Sequence, residues 1–165
     1  MDKFKAFFKE NVSYIVVIIL VLLLKLYVVS PIKVNGSSMY PTLHNKDIMI
    51  LDEISYRFKE IQRFDIVVLK ADDEYLIKRV IGLPGEKIKY ENNTLYVNDV
   101  KVEEHFSEEI TKDFEVVVPK GKYYVLGDNR TNSTDSRVLG PIDRKQILGK
   151  TSLTLLPFDR FGKKN

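Results

Sequence analysis

The chain has no cysteine, which excludes disulfides, thiolate metal sites and cysteine nucleophiles together. Histidine is nearly as scarce, with His44 and His105 the two in the chain, so any serine–histidine triad would have to use one of them. No basic stripe stands out either. The 26 lysines and arginines are interspersed with 23 acidic residues for a net charge of +3, which gives nucleic-acid binding little support. Amphipathic helical patterns are almost absent, and there are no internal repeats. What is present is the composition of a folded domain, 44% hydrophobic and 30% charged. With one apolar run set aside, about 130 residues remain, enough for a single domain with a real core.

That run is Val12–Val29, apolar but for Ser13, Tyr14, Lys25 and Tyr27. At 1.5 Å per residue it spans about 27 Å, close to a hydrocarbon core. Tyr14 and Tyr27 fall near the two interfaces, and Lys25 can snorkel outward. A cleaved signal peptide would have a shorter apolar region and a small-x-small site, which Val28-Val29-Ser30-Pro31 does not offer. The expectation is an uncleaved transmembrane helix over 12–29. Residues 1–11 then form a short cytoplasmic N-terminus, and 30–165 an extracytoplasmic domain of a single-pass cell-membrane protein. Lys3, Lys5 and Lys9 precede the span and Lys33 and Lys46 follow it, so the positive-inside bias is slight. The short N-terminus favours the cytoplasmic start.

The rest of the chain reads as short strands punctuated by turns. Lys46–Asp52, Phe64–Lys70, Tyr75–Leu83, Lys87–Tyr90, Thr94–Val97, Phe114–Val118, Lys122–Leu126 and Gln146–Leu156 carry the β-rich patterns. Pro84-Gly85 suits a type II turn, and Asn92-Asn93 a hairpin. Glu103–Asp113 is acidic and irregular. The fold class is mostly β, an antiparallel sandwich or barrel-like domain behind one N-terminal helix.

Two stretches carry candidate chemistry. In Val34–Leu43 (Val-Asn-Gly-Ser-Ser-Met-Tyr-Pro-Thr-Leu), Gly36 lets the backbone approach something closely and Pro41 stiffens the exit. The stretch is either a Gly/Ser linker or the seat of a serine nucleophile, and a serine hydroxyl needs a base. Neither histidine is placed to favour a triad. Lys78 is the better base: Leu76, Ile77, Val80 and Ile81 surround it, and apolar burial lowers a lysine that normally titrates near 10.4 by as much as 3–5 units. Arg79 would push the same way unless a carboxylate neutralises it. On pattern alone, a Lys78 on the polar face of an alternating strand, paired with an acid, is the commoner arrangement. A third stretch, Gly127–Arg137, fails as a calcium loop, because Arg130 takes a ligand position and Ser133 the glycine position. Its Asp, Asn and Ser side chains suit hydrogen-bonded support, with Asp135 able to pair with Arg130, Arg137 or Arg79.

Taken in order, the anchor, Gly36-Ser37-Ser38-Met39-Tyr40-Pro41-Thr42-Leu43, the strand with Asp47, Lys78-Arg79-Val80-Ile81-Gly82-Leu83-Pro84-Gly85-Glu86 and Gly127-Asp128-Asn129-Arg130 through Ser133-x-Asp135-Ser136-Arg137 resemble the type I signal peptidases. These are membrane-anchored serine proteases that remove signal peptides from exported proteins. The resemblance implies Ser38 as nucleophile and Lys78 as general base. It implies Ser133 as a second serine bonded to the lysine amine, and Asp135 with Arg137 as an ion pair beneath the site. The Ser38 N–H would stabilise the oxyanion. Some members add a serine two residues before the nucleophile, where this chain has Gly36, so a replacement donor is expected. Ile32, Val34, Leu76 and Ile77 would wall shallow pockets for small residues before the cut. Residues 87–118 would hold a small hairpin cap. The resemblance implies no cofactor and no metal, with signal peptides of exported preproteins and the lipid bilayer as partners and a monomeric state. Two other readings stay open: a self-cleaving Ser-Lys protease, and a catalytically inactive anchored β domain that binds secreted polypeptides.

Overall fold

A computed structural model describes residues 11–21, 30–107 and 109–164. Residues 11–21 form helix α1. Its apolar side chains lie open: Val12, Tyr14 and Val16, Val17, Ile18, Ile19, Leu20 and Val21 each keep half or more of their surface exposed. Among the described residues no helix is long and apolar enough to cross a membrane. Residues 1–10 and 22–29, which carry the rest of the expected cytoplasmic tail and span, lie outside the described residues.

The remainder is antiparallel β structure, as the turn-punctuated strand patterns predict. The main sheet contains β1 (Ser30–Lys33), β2 (Ile48–Asp52), β3 (Ile66–Ala71), β4 (Glu74–Gly82) and β9 (Lys122–Leu126), with β10 (Ile142–Asp143) and β11 (Ile147–Leu156). Its order is β1-β2-β11-β3-β4-β9-β10, with β12 (Gly162–Lys163) added beside β11. β1 and β4 are separated by three strands, yet Ile32 of β1 and Leu76 of β4 line one cleft. The sheet therefore coils on itself, helped by register shifts in β11 against both β2 and β3. A second sheet, ordered β7-β6-β5-β8, holds β5 (Lys87–Glu91), β6 (Thr94–Val97), β7 (Val100–Val102) and β8 (Phe114–Val117). Single helical turns at α2 (Ser55–Phe58) and α3 (Ser136–Leu139) and short 3-10 turns at Arg144–Gln146 and Phe158–Arg160 complete the described elements.

The turns follow local chemistry. Gly85 sits at φ +85°, as the third residue of a type II turn requires. Asn92 and Asn93 both have positive φ, the demand of a tight hairpin turn, and Glu91 pairs directly with Thr94 across it. Asn98-Asp99 makes a second turn of the same kind, and β7 beyond it is too short for an alternating pattern to announce. β1 has the same difficulty, since Pro31 interrupts its four residues.

One apolar cluster, including Ile81, Ile88, Tyr90, Leu95, Tyr124 and Leu126, joins the two sheets. Another, of Val34, Met39, Leu43, Met49 and Ile66, lies under the start of the domain. Between them runs a polar seam. The Arg79 guanidinium grips Asp128 in two hydrogen bonds, Nε–Oδ1 at 2.9 Å and Nη2–Oδ2 at 2.8 Å, with both side chains wholly buried. Its other face lies 4.0 Å from the Phe106 ring centroid. Arg130 reaches across to Glu104, Tyr90 and Thr111, so the irregular 103–113 stretch plugs the seam. Removing one partner of such a pair leaves an uncompensated buried charge, whereas an apolar replacement of both does not. Asp128→Ala should therefore lower the unfolding free energy by about 3–5 kcal/mol in urea titrations, and Arg79→Met with Asp128→Leu should recover much of it. A loss below about 1 kcal/mol in the single variant would contradict the assignment.

Candidate active site

β4 is buried on both faces from Lys78 onward, since Lys78, Arg79, Val80, Ile81 and Gly82 are all inside. The solvated polar face that pattern alone favours for Lys78 is thus absent, and the residue is only 2% exposed. Its register partner is Val67, and Ile77 beside it packs with Ile32 against the cluster under the domain's start. The amine is carried to the mouth of the cleft, where Lys78 Nζ donates to Ser38 Oγ at 2.9 Å and to the Ile77 carbonyl at 3.0 Å.

The stretch bearing Ser38 is fixed from both sides. Val34 and Met39 are buried in the apolar cluster, and the Leu43 N–H closes a turn onto the Met39 carbonyl at 2.8 Å. Gly36 sits at φ +91°, a region open to glycine at no cost. The two serines point to different partners. Ser37 Oγ accepts from Asn132 Nδ2 at 2.9 Å, while Ser38 Oγ takes the lysine. The Ser38 carbonyl accepts from the Asn129 N–H at 3.0 Å. The Ser38 N–H has no partner among the described residues and is available to an oxyanion. The Gly36 N–H is not available, because it donates to Asn45 Oδ1 at 3.1 Å.

Burial pushes the Lys78 amine down to about 8, against the opposing pull of Asp135 and then Asp128. Arg79 does not add to the push as the sequence suggested it could, because Asp128 neutralises it. Asp135 is wholly buried and paired to Arg137 through Nε–Oδ1 at 2.9 Å and Nη2–Oδ2 at 2.7 Å. Burial alone would raise its carboxyl, but the hydrogen bonds from Arg137 and from the Gly127 N–H outweigh that and hold it below the usual range. Of the partners open to Asp135, Arg137 is the one used; Arg79 and Arg130 have acids of their own.

Ser133 departs from its expected role. Its Oγ is buried with no hydrogen-bond partner among the described residues, and the lysine amine bonds Ser38 and Ile77 instead. The hydroxyl lies near enough to Asp135 to help keep that carboxyl charged, and it abuts Gly127. Ile32, Val34, Leu76 and Ile77 all line a cleft of about 620 Å³ together with Ser38 and Lys78. The histidines stand apart. His44 stacks edge-on against Tyr40 at 5.1 Å, and His105 is exposed beside Glu103.

Sequence reasoning gave Asn129 and Asn132 only a general part in hydrogen-bonded support, and Gly127 no role of its own. A Cβ on Gly127 would lie 2.2 Å from Ser133 Oγ and 2.4 Å from the Ser38 carbonyl, so the loop can press on the Ser38 stretch only through glycine. The available signal was a glycine opening a run of aspartate, asparagine and serine side chains. Among the described residues no cluster of histidine, aspartate or glutamate is arranged to hold a metal. Chemically, the arrangement offers a serine hydroxyl, an amine that is partly neutral near pH 8, an open backbone donor and an extended apolar cleft.

The chain matches the family model described as "Signal peptidase, peptidase S26" over residues 8–156. It is 37% identical to Signal peptidase I S of Bacillus subtilis (strain 168), over 100% of this chain and 97% of the relative. With Signal peptidase I V of the same organism it shares 44% identity over 84% of this chain and 92% of the relative. Signal peptidase IB of Staphylococcus aureus (strain N315) is 38% identical over 91% and 90%. A crystal structure of a signal peptidase I from Enterococcus faecalis V583 superposes with a TM-score of 0.51 at 36% identity, covering 56% of this chain and 97% of that one.

A Gly127→Ala exchange should keep the domain folded by circular dichroism yet cut peptidase activity about 10²-fold or more, since displacement of a reacting group by an ångström costs that much. Unchanged activity would contradict the close-packing account.

Proposed function

The chain belongs to the peptidase S26 family of signal peptidases, and we propose that it cleaves signal peptides from exported preproteins with Ser38 as nucleophile and Lys78 as general base. One observation carries the proposal: the buried Lys78 amine within 2.9 Å of the Ser38 hydroxyl. With the amine at about 8, roughly one in eleven is neutral at pH 7, against about one in 3,000 at the ordinary value of 10.5. A neutral amine reverses the hydrogen bond and takes the Ser38 proton as Oγ attacks the scissile carbonyl. The Ser38 N–H receives the developing oxyanion. The resulting ammonium is held by the field of Asp135 and Asp128 until it protonates the leaving amine. Water then enters, loses a proton to the same lysine and hydrolyses the acyl-enzyme.

The substrate adds as an extended strand in the cleft between β1 and β4. Ile32, Val34, Leu76 and Ile77 leave room for small side chains at the first and third residues before the cut. Asp135 with Arg137 fixes the loop that carries Gly127, and Ser133 fills the space between that loop and Asp135. Helix α1 supports an N-terminal anchor over residues 12–29, with the catalytic domain outside the cell membrane. Its exposed apolar side chains are suited to lipid and unsuited to water. We expect the full chain to resist alkaline carbonate extraction of membranes, and its appearance in the soluble fraction would contradict the anchor.

Ser38→Ala and Lys78→Ala should each abolish cleavage of a preprotein in detergent, a loss of about 10⁴-fold or more, while His44→Ala stays close to wild type. Mapping the cut by mass spectrometry should place it after a small residue. The activity of wild type should rise with pH and level off above about 8, because the neutral amine is the working form. A rate that is flat from pH 6 to 10, or a fully active Lys78→Ala enzyme, would contradict the dyad.

A further inference from the structure

We propose that the cleft has an outer compartment, at the Ser30 end of β1, that selects a basic side chain at the fifth residue before the cut, with Glu53 as the specificity-determining residue. The proposal rests on the reading that residues before the cut occupy this cleft. The cleft encloses about 620 Å³, within the range that holds a whole drug-sized ligand, and two alanine methyls fill little of it.

Register decides where the remaining space lies along the substrate. The Val34 N–H donates to the Asp47 carbonyl and the Val34 carbonyl accepts from the Lys46 N–H, both at 2.8 Å, so the main chain of Val34 is engaged on the β2 side. With the two-residue period of a strand, the open edge of β1 is left to the main chain of Lys33 and Asn35. A substrate strand on that edge, with its reacting carbonyl at Ser38, turns its first, third and fifth residues to the same side. The fifth lies four residues back, about 13 Å from the first. With the first residue set beside Val34, just past the end of β1, the fifth comes abreast of Ser30, four residues back along the chain.

What stands there is chemically distinct from the apolar inner cleft. Ser30 pairs with Leu51, and its hydroxyl donates to Glu53 Oε1 at 3.3 Å. Glu53 lines the cleft together with Leu51, Tyr75 and Leu148. Three apolar walls suit a methylene stem and the carboxylate suits its cationic tip, which is the chemistry of lysine or arginine. Lys33 is the other charged side chain in the cleft besides Lys78, and it lies three residues nearer the cut along β1. Its repulsion therefore falls about 10 Å inward of Glu53.

The test uses the full-length chain in detergent and precursor peptides that differ only at the fifth residue before the cut: Lys, Ala or Glu. Wild type should favour Lys over Glu by about fivefold in kcat/KM, the scale of a solvent-accessible ion pair, and the preference should shrink in high salt. With each rate taken relative to the Ala peptide cut by the same enzyme, Glu53→Gln should equalise the Lys and Glu peptides and Glu53→Lys should invert their order. Equal cutting of Lys and Glu peptides by wild type overturns the compartment, as does a Lys preference that survives in both variants. If wild type cuts none of the peptides, the reading of the cleft as the substrate site falls, and the compartment falls with it.

Discussion

Lys78 Nζ lies 2.9 Å from Ser38 Oγ on a residue with 2% of its surface exposed, and a dry amine resists holding a proton. Most of the surrounding structure is explicable as what it takes to keep that pair dry and close. Arg79, the next residue on β4, would add an unbalanced cation to the same interior, and Asp128 cancels it with two short hydrogen bonds. Asp135 and Asp128 lie near enough to raise the amine back toward its charged form, but burial outweighs them and the lysine settles near 8. Arg137 takes up both oxygens of Asp135, so that carboxylate acts on Lys78 through its field rather than by a direct bond.

The Gly127–Arg137 stretch is the mechanical counterpart of that electrostatic arrangement. Through the Asn129 N–H and Asn132 Nδ2 it holds the Ser38 carbonyl and the Ser37 hydroxyl, leaving the Ser38 hydroxyl directed at the lysine. Arg130 ties the same stretch to the second sheet through Tyr90, and to the irregular 103–113 stretch through Thr111 and Glu104. The same guanidinium also braces its own loop, with Arg130 Nε donating to the Gly127 carbonyl at 3.0 Å.

The legible features of the sequence were the local ones. Strands with a clear alternating or apolar run, such as Thr94–Val97 and Lys122–Leu126, stand where pattern places them, and Gly85 and Asn92-Asn93 make the turns their chemistry favours. β1 and β7 were not legible, because a strand of three or four residues is defined by its partner across the sheet. Ser38 and Lys78 could be singled out individually, but their meeting depends on the coiling of a sheet that brings β4 beside the Val34–Leu43 stretch. The choice of Arg137 over Arg79 and Arg130 for Asp135 was likewise a matter of long-range pairing. Ser133 is the instructive miss: a hydroxyl in the right stretch, yet packed against Gly127 rather than bonded to the amine.

The central claim is that burial makes Lys78 a base, and it can be read without catalysis. Titrating the Cε carbon resonance of Lys78 by NMR in the full-length protein in micelles, assigned by its loss in Lys78→Met, measures the amine directly. The account predicts a midpoint near 8. A midpoint near the ordinary 10.5 would contradict it, because so little neutral amine would then remain at neutral pH that Ser38 would have to find its base elsewhere.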